Sequence, residues 1–297
     1  MPFIRSITAR GPKSRHAALL LTFCLLAAPL FASRQLTDET GRRVTVPDHP
    51  HRLICLAPNT ADAVFALGAG NDVIGVSSYT KYPAEAARKP QIGEPMSPSV
   101  ELIVSMRPDL VIGGGEFNRS LADKLQNYGI PVYLIAPHGV EGILRSMTSL
   151  GHALNRDAQA AALVARLRAR IQAVRRRVQG KPPLPVMMLI WHDPVTTIGR
   201  DSYISQLIEM AGGRSVTSDL PREWPTISFE NLVVRAPQNL LVVRDAKMSF
   251  NDLARRPEWQ AIPAIRNRHI YSVDERLYLS SPAAIDALEE MAKEFHP

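Results

Sequence analysis

The chain has 297 residues, enough for two domains of near-average size, and 35 Lys+Arg against 28 Asp+Glu give it a formal net charge of +7. Four of those cations (Arg5, Arg10, Lys13 and Arg15) and no acid fall in the first 33 residues, so the other 264 carry only +3. Their basic side chains are interleaved with acids, which excludes a nucleic-acid footprint, and their single cysteine, Cys55, excludes an intrachain disulfide.

The first 33 residues have the pattern of a cleaved secretory signal. A basic start is followed by an apolar run over 17–28 and by small residues at Ala32 and Ser33. The run is well short of the roughly 20 residues that a membrane span requires. Bulky Phe23 precedes Cys24 where a lipoprotein cysteine would want a small residue. The mature protein is therefore expected in the periplasm, free of an anchor.

From residue 52 onward short apolar runs alternate with helical patterns. Residues 53–56 read as a strand and 57–60 as a turn, with Asn59 or Thr60 capping a helix over 61–67 that Gly68 stops. Strands follow at 73–76, 110–112 and 132–135, separated by helical patterns over 99–106, 120–128 and 140–154. This alternation predicts an α/β lobe with a parallel sheet, spanning 34–155.

Residues 157–179 contain no Gly or Pro. Ala160, Leu163, Val164, Leu167, Ile171, Val174 and Val178 recur there at a spacing of three to four, which predicts an amphipathic helix. At about 1.5 Å per residue it reaches roughly 35 Å, so a segment over 156–180 can bridge two lobes. A single stiff bridge predicts a cleft that closes only slightly. The run Arg175, Arg176 and Arg177 near its C-terminus complements the helix dipole. A second lobe over 181–297 then repeats the rhythm, with strands at 186–190, 240–243 and 269–272 and helices at 202–211, 250–255 and 282–295.

The strongest internal signal is a repeat 129 positions apart. Ser99, Glu101 and Pro108 return in the same register as Ser228, Glu230 and Pro237, with an aliphatic run after each Pro. A period this long does not suit a solenoid, but it suits two lobes of similar build. Each Ser is placed to cap a helix, and each Glu then falls in its first turn. First-turn glutamates stabilise helices by themselves, so these residues leave helix stabilisation and docking onto a two-fold partner both open.

Ligands of open α/β lobes sit at the carboxyl ends of the strands. The loops there hold Tyr79, Tyr82, Trp191, His192 and Trp224, with Tyr278 from the C-terminal segment. Such a mixture of rings and polar tips suits a large, flat, partly polar ligand. The nucleophile-elbow, zinc-protease and P-loop motifs are all absent from the sequence, so no enzyme is expected.

Two stretches carry a family resemblance. Val73 to Pro83, with Ser77-Ser-Tyr79 and Tyr82-Pro83, and Glu223 to Glu230, with Trp224-Pro225 and Ser228, resemble the cobalamin-binding branch of the helical-backbone substrate-binding proteins of ABC importers. The wider group also takes ferric siderophores and haem. The resemblance covers residues 42 to 295. Where such cobalamin binders carry further tryptophans, this chain holds Pro95-Met96 and Gly114-Gly115.

The resemblance implies two Rossmann-like α/β lobes joined by one long helix, a ligand in the cleft between them, and no catalysis or cofactor. It implies cobalamin or a related corrinoid as ligand, with Tyr79 and Trp224 against the corrin and the loop at Trp191 opposite. Haem or a ferric siderophore is the alternative, and haem would call on His192 or a cleft tyrosine as its axial ligand. A periplasmic metal-binding protein or enzyme on the same scaffold is a more distant reading. The implied partners are an ABC permease dimer with its cytoplasmic ATPase, whose arginines would meet Glu101 and Glu230. The protein itself is expected as a monomer.

Overall fold

The computed structural model describes residues 32–244 and 250–297. The expected signal segment, 1–33, lies outside the described residues except for its last two. Ser33 already begins a strand, Ser33–Thr37, which pairs antiparallel with Arg43–Pro47. Sequence reasoning gave this hairpin no element. The Asp38 carboxylate closes its turn, accepting hydrogen bonds from the backbone N–H groups of Thr40 and Arg42 at 3.0 and 2.9 Å.

Two parallel four-stranded sheets follow, and both have the same strand order. In the first, Leu53–Cys55 is flanked by Val73–Val76 on one side and by Leu110–Gly114 and then Val132–Ile135 on the other. In the second, Leu184–Leu189 lies between Gly213–Ser215 and Leu240–Val243, with Ile270–Val273 beyond. Strands covered on both faces by helices read as unbroken apolar runs, and Leu53–Cys55, Val132–Ile135 and Leu240–Val243 are buried at every position. The mixed α/β class, with two lobes of parallel sheet, is therefore present as expected. Among the described residues, no helix is long and apolar enough to cross a membrane.

Most elements fall within one to three residues of their predicted places. The first helix is a correction. It spans Pro58–Ala66 and starts three residues before the expected position, with Ala57 rather than Asn59 or Thr60 at its N-cap. Proline at the first helical turn has no N–H to satisfy and a pre-set φ. The Thr60 hydroxyl then donates to the Ala57 carbonyl at 2.8 Å, from inside the first turn.

The helix Asp157–Val178 passes from one lobe to the other. Its buried residues are Ala160, Leu163, Val164, Leu167, Ile171 and Val174, and they join one continuous core with apolar residues of both lobes. Its neighbour Gly139–Ala153 approaches so closely that a Cβ on Gly151 would lie 2.3 Å from the Ala160 Cβ. On the other flank, Arg170 reaches the C-terminal helix Ala284–Phe295, meeting Asp286 at 2.5 Å and Glu289 at 2.8 Å.

Candidate functional site

Both sheets direct their carboxyl ends toward one cleft. Loops after Val73–Val76 and after Ile270–Val273 meet there around a pocket of about 380 Å³, lined by Pro58, Ser78, Tyr79, Tyr82, Tyr278 and Leu279 together with three charged residues. Those three are Lys81, Glu275 and Arg276. Lys81 Nζ lies 2.8 Å from Glu275 Oε2, an ion pair that spans the lobes. The Arg276 guanidinium stands 5.4 Å from the centre of the Tyr82 ring, and it also pairs with Asp274 and Asp286, each at 2.7 Å.

The tyrosines differ in surroundings. Tyr79 is 57% exposed, and the carboxylate of Glu94 pushes its hydroxyl pKa up. Tyr82 is half-buried, and its hydroxyl is pushed up first by burial and then by Asp286 and Asp62. Tyr278 meets Trp224 edge to face, with ring centroids 6.3 Å apart. Burial pushes the adjacent Glu223 carboxyl up, and a hydrogen bond from Trp224 opposes that shift.

Tyr79, Tyr82 and Tyr278 thus share one pocket, and Trp224 leans on it through Tyr278. Trp191 and His192 do not join that lining. They form a two-residue strand paired with Val195–Thr196, and their ring centroids lie 5.0 Å apart. The Trp191 indole N–H donates to the Asp193 carbonyl at 2.7 Å. His192 lines a separate cavity of about 340 Å³ with Ser228, Phe229, Arg256 and Trp259, and its Nε2 lies 3.5 Å from an Arg256 nitrogen. Among the described residues, no group of three or more His, Cys, Asp or Glu is placed to hold a metal ion.

Two exposed apolar side chains, Met96 at 71% and Phe117 at 78% exposure, stand at the same edge of the first sheet, beyond the six residues expected to line the site. Their loops are tied by Asn118, which accepts from the Gly114 N–H at 2.8 Å and donates to the Pro95 carbonyl at 3.4 Å. The chain signals a loop at each place but not which side chain faces solvent.

Sequence reasoning missed a seam that joins the lobes beside the pocket. Asp62, buried in the helix Pro58–Ala66, accepts from the Ser281 hydroxyl at 2.6 Å and the Ala283 N–H at 2.9 Å. Asn59 donates to Ser280 at 3.2 Å, and the Tyr82–Arg276 and Lys81–Glu275 contacts continue the row outward.

The repeated motif is repeated in three dimensions. Ser99 caps Val100–Ser105 and Ser228 caps Phe229–Arg235, each hydroxyl accepting a backbone N–H at 3.2 Å. Each helix ends on a non-glycine residue in the left-handed region, Arg107 at φ 47° and Ala236 at φ 44°, again 129 positions apart. Buried Pro108 and Pro237 follow and lead into the matching strands. Glu101 and Glu230 project from the two first turns, both exposed. The Glu230 carboxyl is held below the usual range by its own backbone N–H and by the Ser228 hydroxyl.

Residues 53–277 match the family described as periplasmic binding protein. The vitamin B12-binding protein of Vibrio campbellii is 25% identical over 248 residues, covering 82% of this chain and 89% of that protein. An uncharacterized ABC transporter substrate-binding lipoprotein of Bacillus subtilis, YvrC, is 24% identical over 88% of this chain and 85% of its own length. Among solved structures, the apo periplasmic heme-binding protein RhuT from Roseiflexus sp. RS-1 superposes with a TM-score of 0.75 at 27% identity, over 83% of this chain and 98% of that one.

Proposed function

Since the chain belongs to the periplasmic binding protein family, we propose that it captures cobalamin or a related corrinoid between its lobes and delivers it to an ABC importer. In this reading the protein works outside the cytoplasm, is exported by a cleaved signal and carries out no catalysis. The observation that carries the ligand choice is the aromatic pocket between the lobes, where Tyr79, Tyr82 and Tyr278 converge and Trp224 packs on Tyr278. The vitamin B12-binding name of a relative matched over 82% of the chain supports it.

The pocket volume bears on the binding mode. At about 380 Å³ it lies at the lower end of the roughly 300–1,000 Å³ of small-molecule pockets. A corrin with its amide side chains exceeds it, so the ring rests on exposed Tyr79, Trp224, Met96 and Phe117 while one polar edge enters the pocket. Rings supply contact area there, and the hydroxyls and amides fix orientation.

Glu101 and Glu230 serve as docking carboxylates in this proposal, one per lobe, for basic residues on a two-fold permease. Their equivalence in helix, cap and exposure supports the role. Haem is the second reading, favoured by the likeness to RhuT. His192 does not favour it, because that imidazole lines a different cavity.

Calorimetric titration with aquocobalamin tests the ligand assignment. The unsubstituted protein is expected to saturate at one equivalent, and Trp224→Ala to weaken binding by about 1–3 kcal/mol through lost ring contact. Saturation with unchanged affinity in the variant would remove Trp224 from the site; no binding by either protein would remove cobalamin.

A further inference from the structure

Each cation that lines the interlobe pocket is already paired with a carboxylate. Lys81 meets Glu275 across the lobes, and Arg276 is held by Asp274 and Asp286. The other polar lining side chains, Ser78, Tyr79, Tyr82 and Tyr278, are neutral hydroxyl bearers, and Pro58 and Leu279 are apolar. The pocket therefore presents donors and acceptors without net positive charge.

We propose that the Lys81–Glu275 pair is a charge filter that makes this pocket select a neutral, amide-bearing ligand edge over an anionic one. The proposal rests on the corrinoid reading above. It concerns a choice that the aromatic rings cannot make, since a ring stacks equally well on an amide-bearing and a carboxylate-bearing macrocycle.

The pair is poorly suited to a purely structural role. Both side chains are substantially exposed, 70% for Lys81 and 40% for Glu275, and exposed pairs of this kind contribute little to stability. The seam behind it, through buried Asp62, already joins the lobes. At the pocket wall, however, the pair sets one donor beside one acceptor. A primary amide, which is both donor and acceptor, satisfies the two together. A carboxylate satisfies Lys81 but meets Glu275 as a like charge, and Arg276 cannot offset that because Asp274 and Asp286 hold it.

The same geometry makes the two partners opposite in effect. Removing Glu275 takes away the repulsion, whereas removing Lys81 leaves the repulsion and takes away the attraction.

The test compares cobalamin with a cobalamin monocarboxylate, in which one side-chain amide is hydrolysed to the acid. Kd for each is measured by calorimetry at low salt with the unsubstituted full chain, Glu275→Gln and Lys81→Met. The unsubstituted protein should prefer cobalamin. Glu275→Gln should move the ratio of the two Kd values toward the monocarboxylate by about fivefold, and Lys81→Met away from it by a similar factor, the scale of one exposed ion pair. High salt should shrink both shifts. A ratio unmoved in either variant, or moved the same way in both, would overturn the proposal while leaving the corrinoid reading in place. Failure of the unsubstituted protein to bind either corrinoid is a separate result, and it would remove the corrinoid reading and this inference with it.

Discussion

Reversing Glu101 and Glu230 together to Lys is expected to abolish corrinoid uptake while leaving ligand affinity as in the unsubstituted protein. Both carboxylates are exposed and stand on first turns, away from the pocket lining. Each reversal sacrifices a favourable helix-dipole contact, a small loss at an exposed position that the fold tolerates. At a permease surface the same change sets cation against cation on both lobes, and such juxtapositions cost several kcal/mol each. Uptake should therefore fall by more than roughly 100-fold, which each half of the interface alone suffices to approach. Uptake is read in cells that lack any other cobalamin-binding protein, and calorimetry is run on the purified variant. Normal uptake by the double variant would sink the docking role, and lost binding would show that the reversals reach the cleft.

Asp62→Ala should be the most destabilising single substitution on the seam. Asp62 is 4% exposed, and its Oδ2 accepts from the Ser281 hydroxyl and the Ala283 N–H of the opposite lobe. Removing the carboxyl leaves two buried donors unsatisfied, a loss of about 3 kcal/mol or more in denaturant unfolding. Asp62→Asn keeps an acceptor oxygen and should lose much less. The pH dependence separates the two effects. Burial raises the folded-state pKa of Asp62 above its ordinary value, so between the two values the folded protein holds a proton that the unfolded chain has released. Stability from this group is then largest in acid and falls as pH rises through the folded pKa. The asparagine variant should lack that fall. A parallel pH profile in the two proteins would contradict the assignment.

The sequence reading reached far into the fold for identifiable reasons. A 3-to-4 spacing of apolar residues without Gly or Pro defines the bridging helix, and all six of its buried residues were among those expected. The repeat of Ser, Glu and Pro corresponds to two sheets of identical strand order. It even extends to the left-handed residues Arg107 and Ala236, which nothing in their side chains announces.

The site was only partly legible. Tyr79, Tyr82 and Tyr278 share a pocket, but Trp191 and His192, adjacent in sequence and with ring centroids 5.0 Å apart, lie outside its lining. The seam was invisible because its partners, Asp62 with Ser281 and Lys81 with Glu275, are separated by 219 and 194 residues. No local pattern pairs residues across such distances. The helix at Pro58 was misplaced because a proline at the first helical turn outcompeted the polar residues after it as the starting signal.

The central claim is that the cleft holds a corrinoid rather than haem. Purified protein is mixed with equimolar aquocobalamin and haemin, freed of unbound ligand, and its absorption spectrum recorded. One equivalent of retained cobalamin bands and no haem Soret band is the expected result, because the pocket offers aromatic rings beside amide-matching polar groups. A retained Soret band without cobalamin would contradict it, leaving the fold and the proposed docking role of Glu101 and Glu230 in place and making haem the cargo.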